Sequence, residues 1–361
     1  MDESLVYTVS MAAPDDVSGI AALFDDGTLA PRDVRGVIAQ TEGDGFARGY
    51  FTLALELLLS ERLGVPRAQI TEKIPIMAIG GTAGLMTPHA TLFVRRPAAD
   101  PVPQHDTALA LGFAFTRTLK EAELGTALQA RVVAESVAAA MADAGIESHD
   151  DVAAVEIKCP QPSPESLPGV GAGALGARSR GACALGAAIA LGEVDAGDVS
   201  DDAICARTDL YARRASASSG GELHNVRIVV VGNRRGAPGR QRAGWGVMSD
   251  QLDTAGALQA FEMAGLAPEN GALDAAASAR LGAVFVNAGA DAVGQCRDHR
   301  HTLNTDLLAA YSGHVAKAVA HATVSAIAQT PLVLGNAGSE HQGPLGGNLV
   351  CVIADQAPAG D

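Results

Sequence analysis

One arrangement of residues recurs three times along this chain, and it constrains the fold more than any other feature. Each copy has a β-type run ending in a polar residue, then a small or polar residue ahead of an Ala/Leu-rich helical stretch. A small-residue turn and a second β-run follow. A period of more than about 100 residues is too long for a solenoid. We therefore predict an α/β fold of three homologous units, with pseudo-threefold symmetry around one central active site.

The three copies differ at the positions where a repeat could carry chemistry. These positions are Gln40, Arg48 and Ile79 in the first copy, Lys158, Arg180 and Ser219 in the second, and Asn287, Gly313 and Asn336 in the third. Only the second copy combines a lysine with a serine. This asymmetry places the predicted chemistry in the middle copy.

The predicted units cover residues 1–104, 105–250 and 251–361, and the second carries the reactive pair. A chain of 361 residues is long enough for two or three domain-sized cores. Apolar residues at helical spacing predict helices over residues 49–62, 120–144 and 306–329. Residues 160–173 are rich in Pro, Gly and Ser and predict a long loop, which in a compact protein is usually functional.

Charge and cysteine content narrow the classes of partner and compartment. The net charge of −15 argues against nucleic acid as a partner, because no basic excess is present to displace counterions. The N-terminus lacks a basic region followed by an apolar core, and no apolar run is long enough to span a membrane. The five cysteines form no CxxC pair and predict reduced thiols. We expect a cytoplasmic protein with no nucleic-acid or membrane partner.

Two motifs suggest other functions but fit them poorly. The GAGALG segment at residues 171–176 matches GxGxxG, yet a dinucleotide site needs that loop directly between a strand and a helix. Here roughly a dozen loop residues separate it from the preceding strand. The histidines form no HExxH or other tight ligand pair on one helix, which argues against a catalytic zinc. A flexible loop and hydrogen-bonded structural histidines are the better interpretations.

Lys158 and Ser219 are the strongest candidates for catalysis. Lys158 ends a β-type run at the mouth of a loop, and burial would lower its pKa and supply a neutral amine as base. Ser219 precedes two glycines, where backbone N–H groups can converge on an oxyanion. A serine nucleophile with a lysine base is a known variant of triad logic. Ser218 is an alternative nucleophile, and we prefer Ser219 because its two following glycines align with those after Ile79.

Several segments resemble one known family over essentially the whole chain. VEIKCP, SRGACALG, SSGGEL, TEGDGFARGY, GGTAGLMTPH and SEHQGP are similar to segments of the ring-opening amidohydrolases, the cyanuric acid hydrolase and barbiturase family. The resemblance implies three related α/β units whose lysines, serines and arginines meet on a pseudo-threefold axis. It also implies a homo-oligomer, a tetramer, and a small cyclic amide as the substrate.

Carried over residue by residue, the resemblance assigns roles to specific positions. Lys158 corresponds to the general base, Ser219 to the nucleophile and Arg180 to a substrate-binding arginine. Arg48 is the arginine of the first unit. The remaining predicted substrate-binding residues lie in the turns and are Gly80, Gly81, Gly220, Asn336 and Ala337. No organic cofactor is required, and the family's structural divalent cation would lie near residues 339–347, although no glutamate soon after Asn287 matches its acidic ligand.

The sequence thus predicts a hydrolase that opens a cyclic amide or imide ring through an acyl-enzyme. Four of the six Lys/Ser positions and one of three arginines differ from the family pattern, so the reaction class is better supported than cyanuric acid as the substrate. One alternative is a hydrolase of the same fold acting on a different, asymmetric cyclic ureide or imide. A second alternative is a non-catalytic ligand-binding relative, against which the intact middle pair argues.

Overall fold

The computed structural model of the chain describes residues 2–43, 46–98, 105–166, 169, 172–303 and 305–357. In chain order the strands of this part are β1 (Asp2–Ser10), β2 (Val34–Gln40), β3 (Ile76–Ile79), β4 (His89–Pro97), β5 (Thr107–Phe115), β6 (Val152–Pro160), β7 (Ala215–Gly220), β8 (Arg227–Arg235), β9 (Gln241–Met248), β10 (Leu281–Ala288), β11 (Gln295–Cys296), β12 (His299–Arg300), β13 (Leu334–Ala337) and β14 (Asn348–Asp355). The α-helices are α1 (Ser18–Asp25), α2 (Phe46–Leu63), α3 (Ala68–Lys73), α4 (Ala127–Ala144), α5 (Ala172–Leu175), α6 (Ala177–Ala190), α7 (Thr254–Met263), α8 (Ala275–Ser278) and α9 (Ser312–Ala328).

Three four-stranded sheets repeat one strand order. They run β1-β4-β2-β3, β5-β8-β6-β7 and β9-β14-β10-β13, and β11 and β12 form a separate hairpin. When the four strands of a sheet are counted in chain order, the fourth strand pairs antiparallel with both the first and the second. The second and third strands pair parallel. The predicted α/β class is confirmed. We refer to residues 2–98, 105–235 and 241–355 as the first, second and third units.

The third strand of each sheet occupies positions that the sequence pattern assigned to a turn. Ile79 ends β3, Ser219 and Gly220 belong to β7, and Asn336 and Ala337 belong to β13. Glycine, asparagine and, less strongly, alanine are depleted in strands, so propensity gives little strand signal at Gly220, Asn336 and Ala337. Pairing with the neighbouring parallel strand overrides that weak local preference.

The sheets are buried on both faces, which explains why their central strands read as near-continuous apolar runs. All nine residues of β6 are buried. One face of each sheet packs on its own helices, as β6 does on α4 and α6. The other face contributes to a single apolar cluster drawn from all three sheets, with Phe93, Val229 and Phe285 among its members. The three sheets therefore share one central core.

Two predicted helices begin later than their apolar periodicity suggests. α4 starts at Ala127 because the Thr126 hydroxyl caps it by accepting a hydrogen bond from the Gln129 N–H, and a 3-10 turn (Glu121–Glu123) precedes it. α9 likewise follows a 3-10 segment (Asp306–Tyr311). The predicted helix over residues 49–62 is confirmed within α2. Neither the cap at Thr126 nor the 3-10 segments that precede the two helices can be read from apolar periodicity.

Strand pairing bears on where the units divide. The predicted boundary at residue 250 falls after β9, yet β9 pairs with β14 in the third sheet. The polar segment between β8 and β9 links strands of two different sheets. The other predicted boundary, after residue 104, lies outside the described residues.

None of the described helices is both long and apolar enough to cross a membrane. All five cysteines are free thiols, and Cys159, Cys183 and Cys351 are buried.

Candidate active site

The end of the parallel β6–β7 pair brings the predicted reactive residues together. The register pairs Lys158 with Ser218 and Cys159 with Ser219. Paired residues on adjacent strands point to the same face of a sheet, and successive residues alternate. Lys158 and Ser218 therefore share the face toward the central core, whereas Ser219 shares the opposite face with Cys159, which packs against the helices.

Lys158 is a buried lysine held by polar groups from two units. Its side chain is 2% exposed. Nζ donates to the carbonyl oxygen of Ala78 in the first unit at 2.7 Å and to Oε1 of Glu222 at 2.5 Å. Burial lowers the pKa of Lys158, the Glu222 carboxylate opposes this, and the guanidinium of Arg48 lowers the pKa further. The net shift is downward, toward a neutral amine.

Glu222 can reach back to Lys158 because Gly220, the last residue of β7, has no side chain. A Cβ on Gly220 would overlap the Glu222 carboxylate. The Glu222 side chain is 51% exposed, so the carboxylate joins a buried ammonium to the surface. Lys158 and Arg48 both lower the pKa of Glu222, against the effect of its partial burial. Glycine at position 220 is thus required by close approach, beyond any role in binding substrate.

The two candidate serines lie in different surroundings. Ser218 is 9% exposed and its Oγ donates to the carbonyl oxygen of Ile157 at 3.5 Å. Ser219 Oγ accepts a hydrogen bond from Nη1 of Arg180 at 3.0 Å and donates to Oε1 of Gln161 at 3.4 Å. Ser219 is therefore the serine in contact with a predicted binding arginine, and Ser218 is the serine aligned with the lysine.

The register also corrects the alignment on which the preference for Ser219 was based. β2 pairs Gln40 with Ile79, and β10 pairs Asn287 with Asn336. Lys158 occupies the register position of Gln40 and Asn287 and pairs with Ser218. The strand partner of Ile79 and Asn336 in the second unit is thus Ser218. Aligning the copies by their glycines places Ser219 opposite Ile79 instead of Ser218. The second copy has one more small residue before its glycines than the first copy has.

Arg180 and Arg48 both lie near the reactive pair. Arg180 forms a two-point ion pair with Glu340 of the third unit, with Nη2 to Oε1 at 2.5 Å and Nε to Oε2 at 3.2 Å. Both side chains of this pair are about 15% exposed. Arg48, near the start of α2, acts on the charges of Lys158 and Glu222. The structure therefore gathers the two predicted arginines, the lysine and both serines.

In the first unit, the turn residues are engaged by the protein itself. The Gly81 N–H donates to the carbonyl oxygen of Gly43 at 2.5 Å. The carbonyl oxygens of Gly80 and Gly81 accept from Nζ of Lys317 at 3.2 and 2.8 Å. Gln40 donates to the carbonyl oxygen of Ile79 at 3.2 Å. A substrate-binding role for the Gly81 N–H would require its hydrogen bond to Gly43 to open.

The third unit presents amides where the second has a lysine and a serine. Asn287 Nδ2 donates to the carbonyl oxygen of Gly338 at 3.0 Å, and Asn336 Nδ2 donates to Oγ of Ser216 at 3.2 Å. Asn336 thus ties the third unit to the second. Ala337 lies 3.5 Å from where a Cβ on Gly313 would stand.

Three charged residues of this centre were missed by the sequence analysis: Glu222, Glu340 and Lys317. A signal for the two glutamates exists once the register is known. Glu222 and Glu340 each stand four residues after the strand residue that pairs with the repeat's lysine position, and Ala83 stands there in the first unit. The misplaced alignment at Ser219 hid this correspondence.

The loop at residues 339–347 does not supply a set of metal-ligand side chains. Glu340 pairs with Arg180, and both ring nitrogens of His341 bond to backbone, with Nε2 accepting from Cys205 N–H at 2.7 Å and Nδ1 near the carbonyl oxygen of Leu210 at 2.6 Å. Across the residues described, no group of three or more His, Cys, Asp or Glu side chains could hold a metal ion. The cation implied by the resemblance stays a prediction.

A cavity of about 600 Å³ lies elsewhere, beside α9 and the β11–β12 hairpin. Its lining includes Asp250, Leu252, Cys296, His301, Val319 and Leu345, and none of the predicted catalytic or substrate-binding residues. The charged centre around Lys158 and this cavity are therefore separate features of the molecule.

Comparisons with known proteins agree on one family. The family described as amidohydrolase ring-opening protein matches residues 5–355. A cyclic amide hydrolase of Rhodococcus sp. is 39% identical over 350 residues, covering 95% of this chain and 100% of that protein. A cyanuric acid amidohydrolase of Enterobacter cloacae is 38% identical over 371 residues, covering 98% and 100%.

Solved structures give the same result. A cyanuric acid hydrolase structure superposes with a TM-score of 0.91 at 33% identity, covering 98% of this chain and 100% of that chain. The structure of the enzyme from A. caulinodans gives 0.85 at 34% identity, covering 99% and 100%. By sequence and by fold, the chain belongs to the ring-opening amidohydrolases.

Proposed function

We propose that this protein hydrolyses a cyclic amide or imide and opens its ring. The observation that carries the proposal is Lys158, a buried lysine with a lowered pKa, in register with a serine at the end of a parallel strand pair. A buried amine beside a hydroxyl is the arrangement that serine–lysine catalysis needs. Family membership supports the reaction class.

We propose Ser218 as the nucleophile, with Ser219 as the alternative to be tested. Ser218 shares a sheet face with Lys158, and it occupies the register position of Ile79 and Asn336. Ser219, on the other face, is hydrogen-bonded to Arg180. A nucleophile must lie within reach of its base, which favours Ser218.

The proposed reaction runs in two steps. Ser218 Oγ attacks a ring carbonyl carbon while the neutral amine of Lys158 takes the hydroxyl proton. The ring C–N bond then breaks, and the leaving nitrogen takes the proton back from Lys158. Water attacks the resulting ester, Lys158 again acting as base, and a linear carboxylate leaves with Ser218 regenerated. No external oxidant, reductant or organic cofactor enters this balance.

Arg48 and Arg180 would bind the substrate's oxygens. A planar guanidinium holds a carbonyl or anionic imide oxygen in fixed geometry. With one arginine from the first unit and one from the second, two edges of a ring would face cations. We further propose that the three units surround this centre with pseudo-threefold symmetry, which the repeated strand order and the shared central core support.

We propose an asymmetric ring as the substrate, for example a barbiturate-like ring or a substituted ureide or imide. The third unit offers Gly313, Asn287 and Asn336, and the amides can both donate and accept hydrogen bonds. Cyanuric acid has three equivalent edges and would meet an arginine on only two. One relative is named for cyanuric acid and another for cyclic amides in general, so the names of the relatives are compatible with either ring.

The test is a panel of cyclic ureides and imides, including cyanuric acid, assayed for ring opening with the product mass recorded. Wild-type enzyme quenched during turnover should carry a covalent adduct on the peptide containing Ser218 and Ser219. A protein that binds a ring without opening it would instead support the non-catalytic alternative. Cyanuric acid proving the best substrate by kcat/KM would overturn the preference for an asymmetric ring.

A further inference from the structure

Buried lysines are rare in proteins, and this chain has two among only four lysines. Lys73 and Lys120 are exposed, whereas Lys158 and Lys317 are 2% and 4% exposed. Lys158 contacts a strand of the neighbouring first unit through Ala78. Lys317, on α9, also crosses between units, from the third to the first. Lys317 stands at none of the positions where the repeat carries its lysine, serine or arginine.

At two of the three places where units meet, the charge of an arginine in one unit acts on a glutamate of the next unit. We call these places seams. Between the second and third units, Arg180 pairs with Glu340 from the third. Between the first and second units, Arg48 lies near Glu222 from the second and lowers its pKa. At both seams the arginine stands at the start of one unit's helix and its charge acts on a glutamate of the next unit. Among the residues described, the ion pair is formed by Arg180 and Glu340 and not by Arg48 and Glu222.

The third seam has lost both partners of this pair. Gly313 stands at the start of α9, where α2 and α6 carry their arginines. Ala83 stands where the other units carry Glu222 and Glu340. A Cβ at position 313 would meet only ordinary contacts at 3.5 Å, so packing of the backbone does not force a glycine there. Because the arginine and the glutamate are both absent at this seam, neither charge is left buried without the other.

Lys317 enters the same seam one helical turn after Gly313. Its ammonium donates to the carbonyl oxygens of Gly81 at 2.8 Å and Gly80 at 3.2 Å. Its stem passes Gly335 of β13, where a Cβ would stand 3.7 Å from Cε of Lys317. Gln40 also joins these units, its Oε1 accepting from the Gly335 N–H at 3.0 Å.

We propose that Lys317 is a positioning residue that sets ring specificity, at a seam that lacks the arginine and the glutamate present at the other two. This inference rests on the proposed function. An ammonium is a compact charge and here it faces backbone carbonyls, whereas a guanidinium presents a planar fork to a ligand. Lys317 thereby fixes the first unit's turn at Gly80 and Gly81 and offers the substrate no bidentate donor on that edge. On this side of the site the charge of Lys317 is directed at backbone carbonyl oxygens and not at the substrate. This favours a ring that has no oxygen on the edge facing Lys317.

The experiment compares kcat/KM for cyanuric acid and for the best asymmetric ring in several variants. Lys317→Met keeps the length of the stem and removes the charge, and Lys317→Arg restores a cation. Ser325→Ala, on the same helix and hydrogen-bonded to His321, is the matched control. We expect Lys317→Met to change the ratio of the two kcat/KM values by at least about tenfold, with Lys317→Arg restoring part of it and Ser325→Ala leaving it unchanged.

A second variant tests the same idea by gain of function. Ala83→Glu combined with Gly313→Arg rebuilds the missing pair and should raise kcat/KM for cyanuric acid relative to the asymmetric ring. This variant decides the question if Lys317→Met does not fold. An unchanged ratio in the folded variants, or equal losses for both rings, would overturn the inference.

The failure of the proposed function would be seen separately. If wild-type protein opens no ring, the reaction itself is refuted. The role of Lys317 is then decided by calorimetry of the same two rings with wild type and Lys317→Met, and equal affinity ratios refute it.

Discussion

Nζ of Lys158 and Oε1 of Glu222 lie 2.5 Å apart, joining a side chain that is 2% exposed to one that is 51% exposed. The pair has opposing effects. Burial disfavours the ammonium and so lowers the pKa of Lys158, while the carboxylate stabilises the ammonium and raises it. Glu222 therefore raises the pKa of Lys158 and opposes the formation of its neutral amine.

The pH profile should report this adjustment. For the wild type, kcat/KM should rise with pH through a group that titrates below the value of about 10.4 for a free lysine. Glu222→Gln removes the carboxylate that stabilises the ammonium, so the rise should move to lower pH. Glu123→Gln, which alters an exposed ion pair with Arg117, is the control and should leave the profile in place. A shift to higher pH in Glu222→Gln would contradict this role for Glu222.

Matched serine variants should identify the nucleophile. Ser218→Ala should lower kcat by several orders of magnitude, as should Lys158→Met, and the double variant should be little worse because the two act as a unit. Ser219→Ala should cost much less and should act mainly on KM, since its Oγ contacts Arg180. The reverse ranking, measured by steady-state kinetics and by mass spectrometry of the trapped acyl-enzyme, would restore Ser219 as the nucleophile.

The ion pair between Arg180 and Glu340 should position Arg180 for substrate. Glu340→Gln removes one partner of a largely buried pair and should raise KM by about tenfold or more, with a smaller effect on kcat. Asp209→Asn, which weakens an exposed pair with Arg207, should change KM by less than about twofold. An unchanged KM in Glu340→Gln would mean that Arg180 does not depend on this carboxylate.

We expect burial of Glu156 to make the free energy of unfolding depend on pH, separately from catalysis. It lies on the central face of β6 at 3% exposure, and burial raises its pKa to about 8, against a hydrogen bond from Ser216. The folded state thus holds a proton that the unfolded chain releases near pH 4.5. The stabilisation is fully present below that value and is lost as pH rises through about 8.

The unfolding free energy should therefore fall between about pH 5 and pH 8 by an amount on the order of a few kcal/mol. Glu156→Gln should flatten this part of the curve in denaturant titrations. A wild-type curve that rises over the same window would show that Glu156 is ionised in the folded protein.

Several features of the site were accessible from the sequence because they depend on local pattern. A polar residue after a β-run, at Gln40, Lys158 and Asn287, predicts a side chain at a strand end. Gln40 ends β2, and the other two lie within the last three residues of β6 and β10. Arg48 and Arg180 precede apolar helical stretches, and both lie in the first turn of a helix. Repetition of these patterns also predicted one α/β sheet for each copy.

What the sequence determined by itself was the repeat, the α/β class and the identity of the middle copy as the one that carries a lysine with a serine. Only the tertiary structure decided which serine faces that lysine, because a shift of one residue along a strand moves a side chain to the opposite face. It alone brought Glu222 to Lys158, Glu340 to Arg180 and Lys317 to Gly81, since those contacts join segments far apart in the chain or in different units. Local patterns fix what each strand end carries, and the packing of the units fixes which ends meet.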